Sequence, residues 1–302
     1  MADKYLGIDI GGTNVKMGIV DSESGKITNF YSHDTDHWRE SGNFTKRLAE
    51  AITVCFNENP SVSKCGIGIP GLITRDRETI LEVTAIPTLN NIALNSYLSS
   101  KFPTKQFYLE NDANAAALGE YYFGSEQLPE DYMFVTLGTG VGGAAIIDKQ
   151  VFKGGGGNAM EPGHMPSRNG KVLERNIGKN DLLEMATTMR VSYKKTTTLP
   201  SDGTISTTGL VAAASEGDEL ALLIFDEMGS ILGDGIVSMI RLLDITTILI
   251  GGGLSAAYDF ILPAVKRQLD YWLTEYYLDK YVIKKATLGN DAGLLGAASL
   301  CF

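Results

Sequence analysis

Tyr5-Leu-Gly-Ile-Asp-Ile-Gly-Gly-Thr-Asn14 sets an acidic residue and a glycine turn between two stretches that have the composition of β-strands. The following residues, Val15–Asp21, continue as a β-rich run without a helical period. Gly11 and Gly12 let the backbone come close to an anion, and Asp9 can hold a hydrated cation. The stretch therefore predicts a strand, a glycine turn and a second strand that together bind phosphate and magnesium.

This order of elements argues against two common phosphate-binding motifs. A Walker A loop needs Gly-Lys-Ser/Thr at the start of a helix, and a Rossmann turn also leads into a helix. The residues after Gly12 supply neither feature, because they read as a strand.

A second copy of the pattern occurs at Met133-Phe-Val-Thr-Leu-Gly-Thr-Gly-Val-Gly-Gly-Ala-Ala-Ile-Ile-Asp148. Aligning Gly11 with Gly138 also aligns Asp21 with Asp148, and apolar residues match between them. The sequence therefore predicts an internal duplication, with one glycine hairpin in each half.

The second copy also contains Gly138-x-Gly140-x-x-Gly143, which matches the dinucleotide-binding fingerprint. That fingerprint is a weak pattern by itself, and it requires a helix after the glycines. Ala144 to Phe152 reads instead as a strand. We therefore favour the duplicated hairpin over a Rossmann turn.

The composition is that of a globular protein outside the membrane. The 302 residues are enough for one large domain or two ordinary ones, and the duplication favours two. Hydrophobic residues make up 44% and charged residues 21%, and no stretch approaches the roughly 18 apolar residues of a membrane span. We expect no membrane partner.

Charge and cysteine content limit the location and the partners. The net charge of -10 disfavours nucleic-acid binding, which usually needs a basic surface. Cys55, Cys65 and Cys301 are an odd number without a Cys-x-x-Cys motif, and the N-terminus shows no signal-peptide pattern. These features predict a cytoplasmic protein with reduced thiols in its core.

Strands and helices alternate along the whole chain, which predicts an α/β fold. A helix is expected from Asn43 to about Asn57, and a strand from Phe107 hands over to a helix at Asn111 and Asp112. Ligand sites in open α/β sheets lie at such strand ends. A helix N-cap is the alternative role for Asp112.

Other expected elements are a strand from Cys65, two or three helices between Asn176 and Leu243, a strand at Ile245–Gly253, a helix from Tyr258 and a last helix from Asp291 to Leu300.

Taken together, these motifs resemble the ROK family of sugar kinases and sugar-responsive repressors, within the actin-like ATPase superfamily. The stretches that carry the resemblance are Asp9-Ile-Gly-Gly-Thr13, Glu110-Asn-Asp-Ala-Asn-Ala-Ala-Ala117, Leu137-Gly-Thr-Gly-Val-Gly-Gly143, Glu161-Pro-Gly-His164 and Gly251-Gly-Gly-Leu-Ser255. The resemblance implies two ribonuclease-H-like domains with a cleft between them. We expect the first to comprise residues 1–115 and the C-terminal helix 290–302, and the second to comprise residues 116–289.

The resemblance also implies roles for individual residues. Asp112 matches the general base that takes the proton from the primary hydroxyl of the sugar. The sugar ligands are matched by Asn111, Glu161, His164, Glu174 and Gly71. Phosphate and nucleoside contacts are matched by Asp9, Gly11, Gly12, Thr13, Gly138, Thr139, Gly140, Gly252 and Gly253, with Asp9 holding Mg²⁺ through water.

The sequence departs from the family pattern after His164. Family members with structural zinc place three cysteines in this loop, whereas Met165–Glu174 is short and contains none. We therefore expect no zinc, and Glu174 aligns with the last sugar ligand across the deletion.

The resemblance implies an ATP- and Mg²⁺-dependent hexokinase, most simply a glucokinase, that phosphorylates the 6-hydroxyl of glucose or an N-acetylhexosamine. It also implies a homodimer. The alternatives are a sugar-responsive transcriptional regulator without its DNA-binding domain, which the acidic charge disfavours, and a sugar-independent actin-like ATPase.

Overall fold

The computed structural model describes residues 2–40 and 42–302. This part of the chain divides into two compact units. The first comprises the residues up to Glu130, Ala144–Ala159 and Thr287–Phe302, and the second comprises Asp131–Gly143 and Met160–Ala286. The expected domain boundaries at residues 115 and 290 follow from the sequence duplication, whereas the two units are defined by contacts within the structure. The expected boundaries therefore stay a prediction.

The first sheet confirms the predicted hairpin. β1 and β2 pair antiparallel with Ile10 opposite Val15, while β4 and β7 add parallel to β1, giving the order β3-β2-β1-β4-β7. Leu6, Ile8 and Ile10 of β1 are fully buried, so this strand lies at the centre of the core. The strands are β1 Lys4–Ile10, β2 Asn14–Asp21, β3 Ile27–Asp34, β4 Lys64–Ile69 and β7 Gln106–Asn111, with a small separate ladder of β5 Leu72–Ile73 and β6 Ile80–Glu82.

The second sheet has the order β10-β9-β8-β11-β12, which repeats the arrangement of the first. In each sheet the strand that begins the glycine hairpin is central, with the hairpin partner on one side and a parallel strand on the other. The boundary between the units falls within β9, after Gly143. The strands are β8 Tyr132–Leu137, β9 Val141–Ile147, β10 Gln150–Val151, β11 Thr247–Gly251 and β12 Val282–Lys285. The repeated topology confirms the α/β class and the duplication.

The helices follow the predicted pattern where their periodicity is strong. The helix expected from Asn43 is α2, which buries Phe44, Leu48 and Ile52 against the first core. The helices are α1 Thr35–Glu40, α2 Phe44–Glu58, α3 Leu94–Lys101, α4 Asp112–Phe123, α5 Glu174–Ile177, α6 Lys179–Ser192, α7 Thr207–Ser215, α8 Glu219–Leu243, α9 Tyr258–Trp272, α10 Glu275–Leu278 and α11 Ala292–Ser299.

α11 returns to the first unit and packs on β1, β4 and α4 at very short range. A methyl group at Gly66 would lie 1.7 Å from the carbonyl oxygen of Ala297, and one at Gly296 would lie 1.7 Å from that of Ala115. Only glycine allows backbones to approach this closely. The last helix is thus an integral layer of the first unit.

The structure differs from the sequence prediction after Gly143. The single strand expected from Ala144 to Phe152 is interrupted at Asp148 and Lys149, which adopt φ values of 51° and 64°. Ile147 pairs with Gln150 across them, so the two residues form a tight hairpin turn between β9 and β10.

The cysteines agree with the prediction. Cys55, Cys65 and Cys301 are buried and unpaired with one another as disulfides. Among the described residues, no helix combines the length and the apolar character that crossing a membrane requires.

Candidate active site

The first phosphate turn connects β1 and β2. The backbone N–H of Gly11 donates to the carbonyl oxygen of Asn14 at 2.9 Å, which leaves Gly12 and Thr13 exposed at the tip. Thr35 holds the turn from behind: its Oγ1 donates to the carbonyl of Gly11 at 2.8 Å, and its N–H donates to that of Thr13 at 2.9 Å. The turn therefore presents a fixed backbone to a ligand, as phosphate binding requires.

Asp9 lies at the base of this hairpin, opposite Lys16 on β2. Burial raises the pKa of Asp9, and the positive charge of Lys16 offsets part of this effect. Lys16 also donates to the carbonyl of Asn290 at 2.7 Å. A half-buried carboxylate whose charge is incompletely compensated is suited to a hydrated Mg²⁺, whose preferred ligands are oxygen atoms.

Asn111 and Asp112 stand at the junction of β7 and α4, as predicted. The Asn111 side chain is the N-cap: its Oδ1 accepts hydrogen bonds from the N–H groups of Ala113 at 2.9 Å and Asn114 at 3.2 Å. Its Nδ2 donates to the carbonyl of Gly71 at 3.2 Å. The capping role considered for Asp112 therefore belongs to Asn111, and Asp112 is the first residue of the helix, half-buried.

The second phosphate turn belongs to the second unit. The N–H of Gly138 donates to the carbonyl of Gly140 at 2.9 Å, and the N–H of Lys179 donates to the carbonyl of Gly138 at 3.0 Å. Thr139 is exposed at the tip between them. The start of α6 thus holds this turn in place.

Three predicted sugar ligands come together beside that turn. A methyl group added at Gly140 would lie 2.6 Å from Oε2 of Glu174, and one added at Gly163 would lie 3.2 Å from the same atom. Burial raises the pKa of Glu161, the nearby charge of Glu174 raises it further, and His164 acts in the opposite direction. Glu161, His164 and Glu174 therefore form one electrostatic cluster, and Glu174 places it against Gly140 of the turn.

The loop between His164 and Glu174 is held by an arginine that the sequence analysis missed. Nε of Arg168 donates to Oδ2 of Asp234 at 2.8 Å, and Nη2 donates to Oγ of Ser230 at 2.9 Å. These bonds tie the loop to α8, and Asn176 donates to the carbonyl of Arg168 at 3.0 Å. In residues 2–40 and 42–302, no group of three or more His, Cys, Asp or Glu side chains is placed to hold a metal ion. The expectation of no zinc stays a prediction.

The third glycine turn follows β11. Gly252 has a φ of 85°, and a methyl group there would lie 2.4 Å from the carbonyl oxygen of Leu137. Gly253, in contrast, is exposed and faces open space. It borders a cavity of about 330 Å³ whose lining is mostly apolar: Leu182, Thr207, Thr208, Val211, Ala212, Phe225, Gly253, Leu254, Ala256 and Ala257. An apolar slot beside a glycine turn suits the flat base of a nucleotide.

The predicted site residues therefore fall into two groups, one in each unit. In the first unit they are Asp9, Gly11, Gly12, Thr13, Gly71, Asn111 and Asp112, and in the second unit they are Gly138, Thr139, Gly140, Glu161, His164, Glu174, Gly252 and Gly253. The sequence analysis missed the side chains of the cavity beside Gly253, because small apolar residues of a helix read as ordinary core.

Comparisons with known proteins agree with this arrangement. The glucokinase of Thermotoga maritima is 30% identical over 311 residues, covering 98% of this chain and 96% of its own. A solved structure of a candidate sugar kinase from Cytophaga hutchinsonii is 39% identical, with a TM-score of 0.93 and 99% of each chain covered. The structure of a ROK family glucokinase from Streptomyces griseus, in complex with glucose and AMPPNP, is 28% identical, with a TM-score of 0.78 and 99% of each chain covered.

The model of the ROK family matches residues 5–302, which includes every motif discussed above. Both the duplicated α/β fold and the family expected from the glycine turns are confirmed. The chain therefore belongs to the ROK family.

Proposed function

We propose that this ROK-family sugar kinase transfers the terminal phosphoryl group of ATP to the 6-hydroxyl of a hexose, either glucose or an N-acetylhexosamine. The relatives named above support the reaction class, and the site residues supply the chemistry. A cytoplasmic location and a homodimeric assembly complete the proposal. The location rests on the reduced cysteines and the assembly on the family resemblance.

The contact between Glu174 and Gly140 carries the proposal. A carboxylate suited to sugar hydroxyls lies directly against a turn suited to phosphate. Glu161 and His164 belong to the same cluster, so further groups able to bond ring hydroxyls accompany the carboxylate that lies against this turn. An ATPase that acts without sugar would have no use for this combination.

In the proposed mechanism, Asp112 accepts the proton of the 6-hydroxyl as the O–P bond forms. A free aspartate, with a pKa of about 3.9, is a weak base, but phosphoryl transfer depends mainly on alignment and charge stabilisation. Asn111 and the cluster of Glu161, His164 and Glu174 would orient the sugar. The exposed Thr13 and Thr139 would donate to phosphate oxygens. Mg²⁺, held by Asp9 through water, would supply positive charge to the phosphates.

A coupled assay of ADP release tests the proposal. The assay compares glucose, mannose, N-acetylglucosamine and N-acetylmannosamine with a blank that contains no sugar. At least one sugar is expected to raise turnover, and Asp112→Asn is expected to lower kcat by about 100-fold or more. Asp259→Asn makes the same change at an exposed position and should leave turnover unchanged.

Two results would contradict the proposal. ADP release that is equal with and without every sugar would favour the sugar-independent ATPase. Asp112→Asn with full activity and an unchanged Tm would show that another group serves as the base.

A further inference from the structure

A buried ion pair between Arg77 and Glu110 is the most prominent feature of the first unit to which the proposed mechanism gives no role. Nε of Arg77 donates to Oε2 of Glu110 at 3.0 Å. Nη2 lies 2.8 Å from Oε1, within ion-pair distance but without the geometry of a hydrogen bond. Their side chains are 8% and 3% exposed. Charges this deep lose their hydration, so their remaining hydrogen bonds determine what the pair does.

Arg77 connects the pair to the glycine-rich loop of residues 153–158. Its Nη1 donates to the carbonyl of Gly157 at 2.7 Å. Asn158 bonds to Ile73 in both directions, accepting from its N–H at 3.0 Å and donating to its carbonyl at 2.9 Å. Arg77 itself has a φ of 63°, which a residue other than glycine keeps only where its surroundings hold it. The loop is therefore fixed just before the chain runs on to Glu161.

Glu110 connects the same pair to the start of α4. Its Oε1 accepts from the backbone N–H of Asn111 at 2.9 Å and from Nδ2 of Asn114 at 3.0 Å. Asn111 in turn caps the helix through the N–H groups of Ala113 and Asn114. Asp112 lies between residues that this single carboxylate anchors.

We propose that Arg77 and Glu110 are positioning residues for Asp112. Their buried pair holds the first turn of α4 and the loop of residues 153–158 in one arrangement. The expected effect of the pair on catalysis rests on the proposed function of Asp112. Its effect on the position of the first turn of α4 does not depend on that function. Neither side chain acts on the substrate, and their effect passes through the backbone of Asn111 and the helix cap.

The double variant Arg77→Met/Glu110→Leu tests the pair without leaving an unpaired buried charge, which removal of one partner alone would do. It also removes the acceptor of the Asn111 N–H and of Nδ2 of Asn114 and the donor to the Gly157 carbonyl, so we expect a lower Tm as well. The matched control is Arg267→Met/Asp226→Leu, which removes an ion pair of 2.8 Å whose side chains are about half exposed. Arg77→Lys is a conservative third variant that keeps the charge.

Amide hydrogen exchange of Ala113 and Asn114 is the readout that does not depend on activity. In the double variant exchange is expected to accelerate by about tenfold or more, because the helix cap loses its anchor. The control should exchange like the wild type, and Arg77→Lys should lie between them. Unchanged exchange in the double variant would overturn the proposal, whatever happens to turnover. If the double variant does not fold, wild-type exchange rates in Arg77→Lys overturn it instead.

Steady-state kinetics supply the second readout. At a temperature where the double variant is fully folded, we expect its kcat to fall by about 100-fold, with a smaller change in the sugar dissociation constant measured by calorimetry. A folded double variant with full kcat would refute the positioning role. If the wild type itself showed no sugar-dependent turnover, the proposed function would fail, and the exchange measurement would still decide whether the pair positions residue 112.

Discussion

The carboxylate of Asp9 lies directly against Gly293 of α11. A methyl group at Gly293 would sit 2.7 Å from the carboxyl carbon and from Oδ2 of Asp9. That distance is shorter than any ordinary contact, so even the smallest side chain would displace the carboxylate. The absence of a side chain at Gly293 therefore allows the Asp9 carboxylate, the proposed magnesium ligand, to occupy this position.

We predict that Gly293→Ala lowers kcat/KM for ATP by about tenfold or more while leaving the sugar KM unchanged. The helix should not weaken, because alanine favours a helix over glycine by about 1 kcal/mol. Steady-state kinetics and a thermal melt check both points. Gly156→Ala is the control, since a methyl group there meets nothing within 4 Å. Wild-type kinetics for Gly293→Ala would contradict the claim that activity depends on the position of the Asp9 carboxylate against Gly293.

Asp9→Asn is expected to raise the Tm at pH 7 while abolishing turnover. Burial raises the pKa of Asp9. The folded protein therefore binds this proton more tightly than the unfolded chain, and ionisation of Asp9 costs stability as the pH rises. The gain in Tm should shrink as the pH falls through the raised pKa. Thermal melts between pH 3 and pH 8 measure this difference.

Asp21→Asn is the control with the opposite sign. Hydrogen bonds from the hydroxyl and N–H of Ser24 lower the pKa of Asp21, so its ionised form stabilises the fold above the pKa of the unfolded chain. Its replacement should lower the Tm slightly at pH 7, and the loss should vanish as the pH falls through that lowered pKa. A lower Tm for Asp9→Asn at pH 7 would show that Asp9 contributes more as an anion than its burial costs.

Sugar binding should weaken on the acidic side as Glu161 takes up a proton, because a protonated carboxyl accepts fewer hydrogen bonds. Burial raises the pKa of Glu161, the charge of His164 lowers it, and the charge of Glu174 raises it. In plots of kcat/KM for the sugar against pH, the acidic limb should therefore move to lower pH in Glu174→Gln and to higher pH in His164→Gln. Shifts in the same direction, or none, would show that Glu161 does not govern this limb.

Filling the cavity beside Gly253 should affect only the nucleotide. Ala212 contributes to its lining, and a phenylalanine there would occupy the space proposed for the base. We predict that Ala212→Phe raises the KM for ATP by about tenfold and leaves sugar affinity unchanged. Val191→Phe adds similar bulk at a position that is 75% exposed and serves as the control. A normal KM for ATP in Ala212→Phe would mean that the base binds elsewhere.

Elements with strong local patterns could be predicted from the sequence. The β1–β2 hairpin and α2 follow from a glycine turn between apolar strands and from apolar residues at helical spacing. β12 could not be predicted in this way, since its four residues, Val282–Lys285, include two lysines. Lysines are typical of the edge of a sheet, and β12 lies at the edge of its sheet.

In the candidate site, too, residues within a local sequence pattern could be predicted and residues that depend on tertiary contacts could not. Glycine turns and the Asn111–Asp112 junction are contiguous in the sequence, so their residue types already indicate the chemistry. Arg77 and Glu110 are 33 residues apart, and Arg77 sits in a charged stretch that reads as an exposed turn. Burial and pairing of such residues depend on tertiary contacts, which no local pattern contains.

The packing of α11 on Gly66 and Ala115 also constrains how the protein is made. The first unit combines residues up to Glu130 with Thr287–Phe302, so its hydrophobic layers stay incomplete until Ala292–Ser299 has left the ribosomal exit tunnel. All of Met160–Ala286 in the second unit emerges earlier. A nascent chain halted before residue 292 would expose the surface meant for this helix, and chaperones would be expected to recognise that surface.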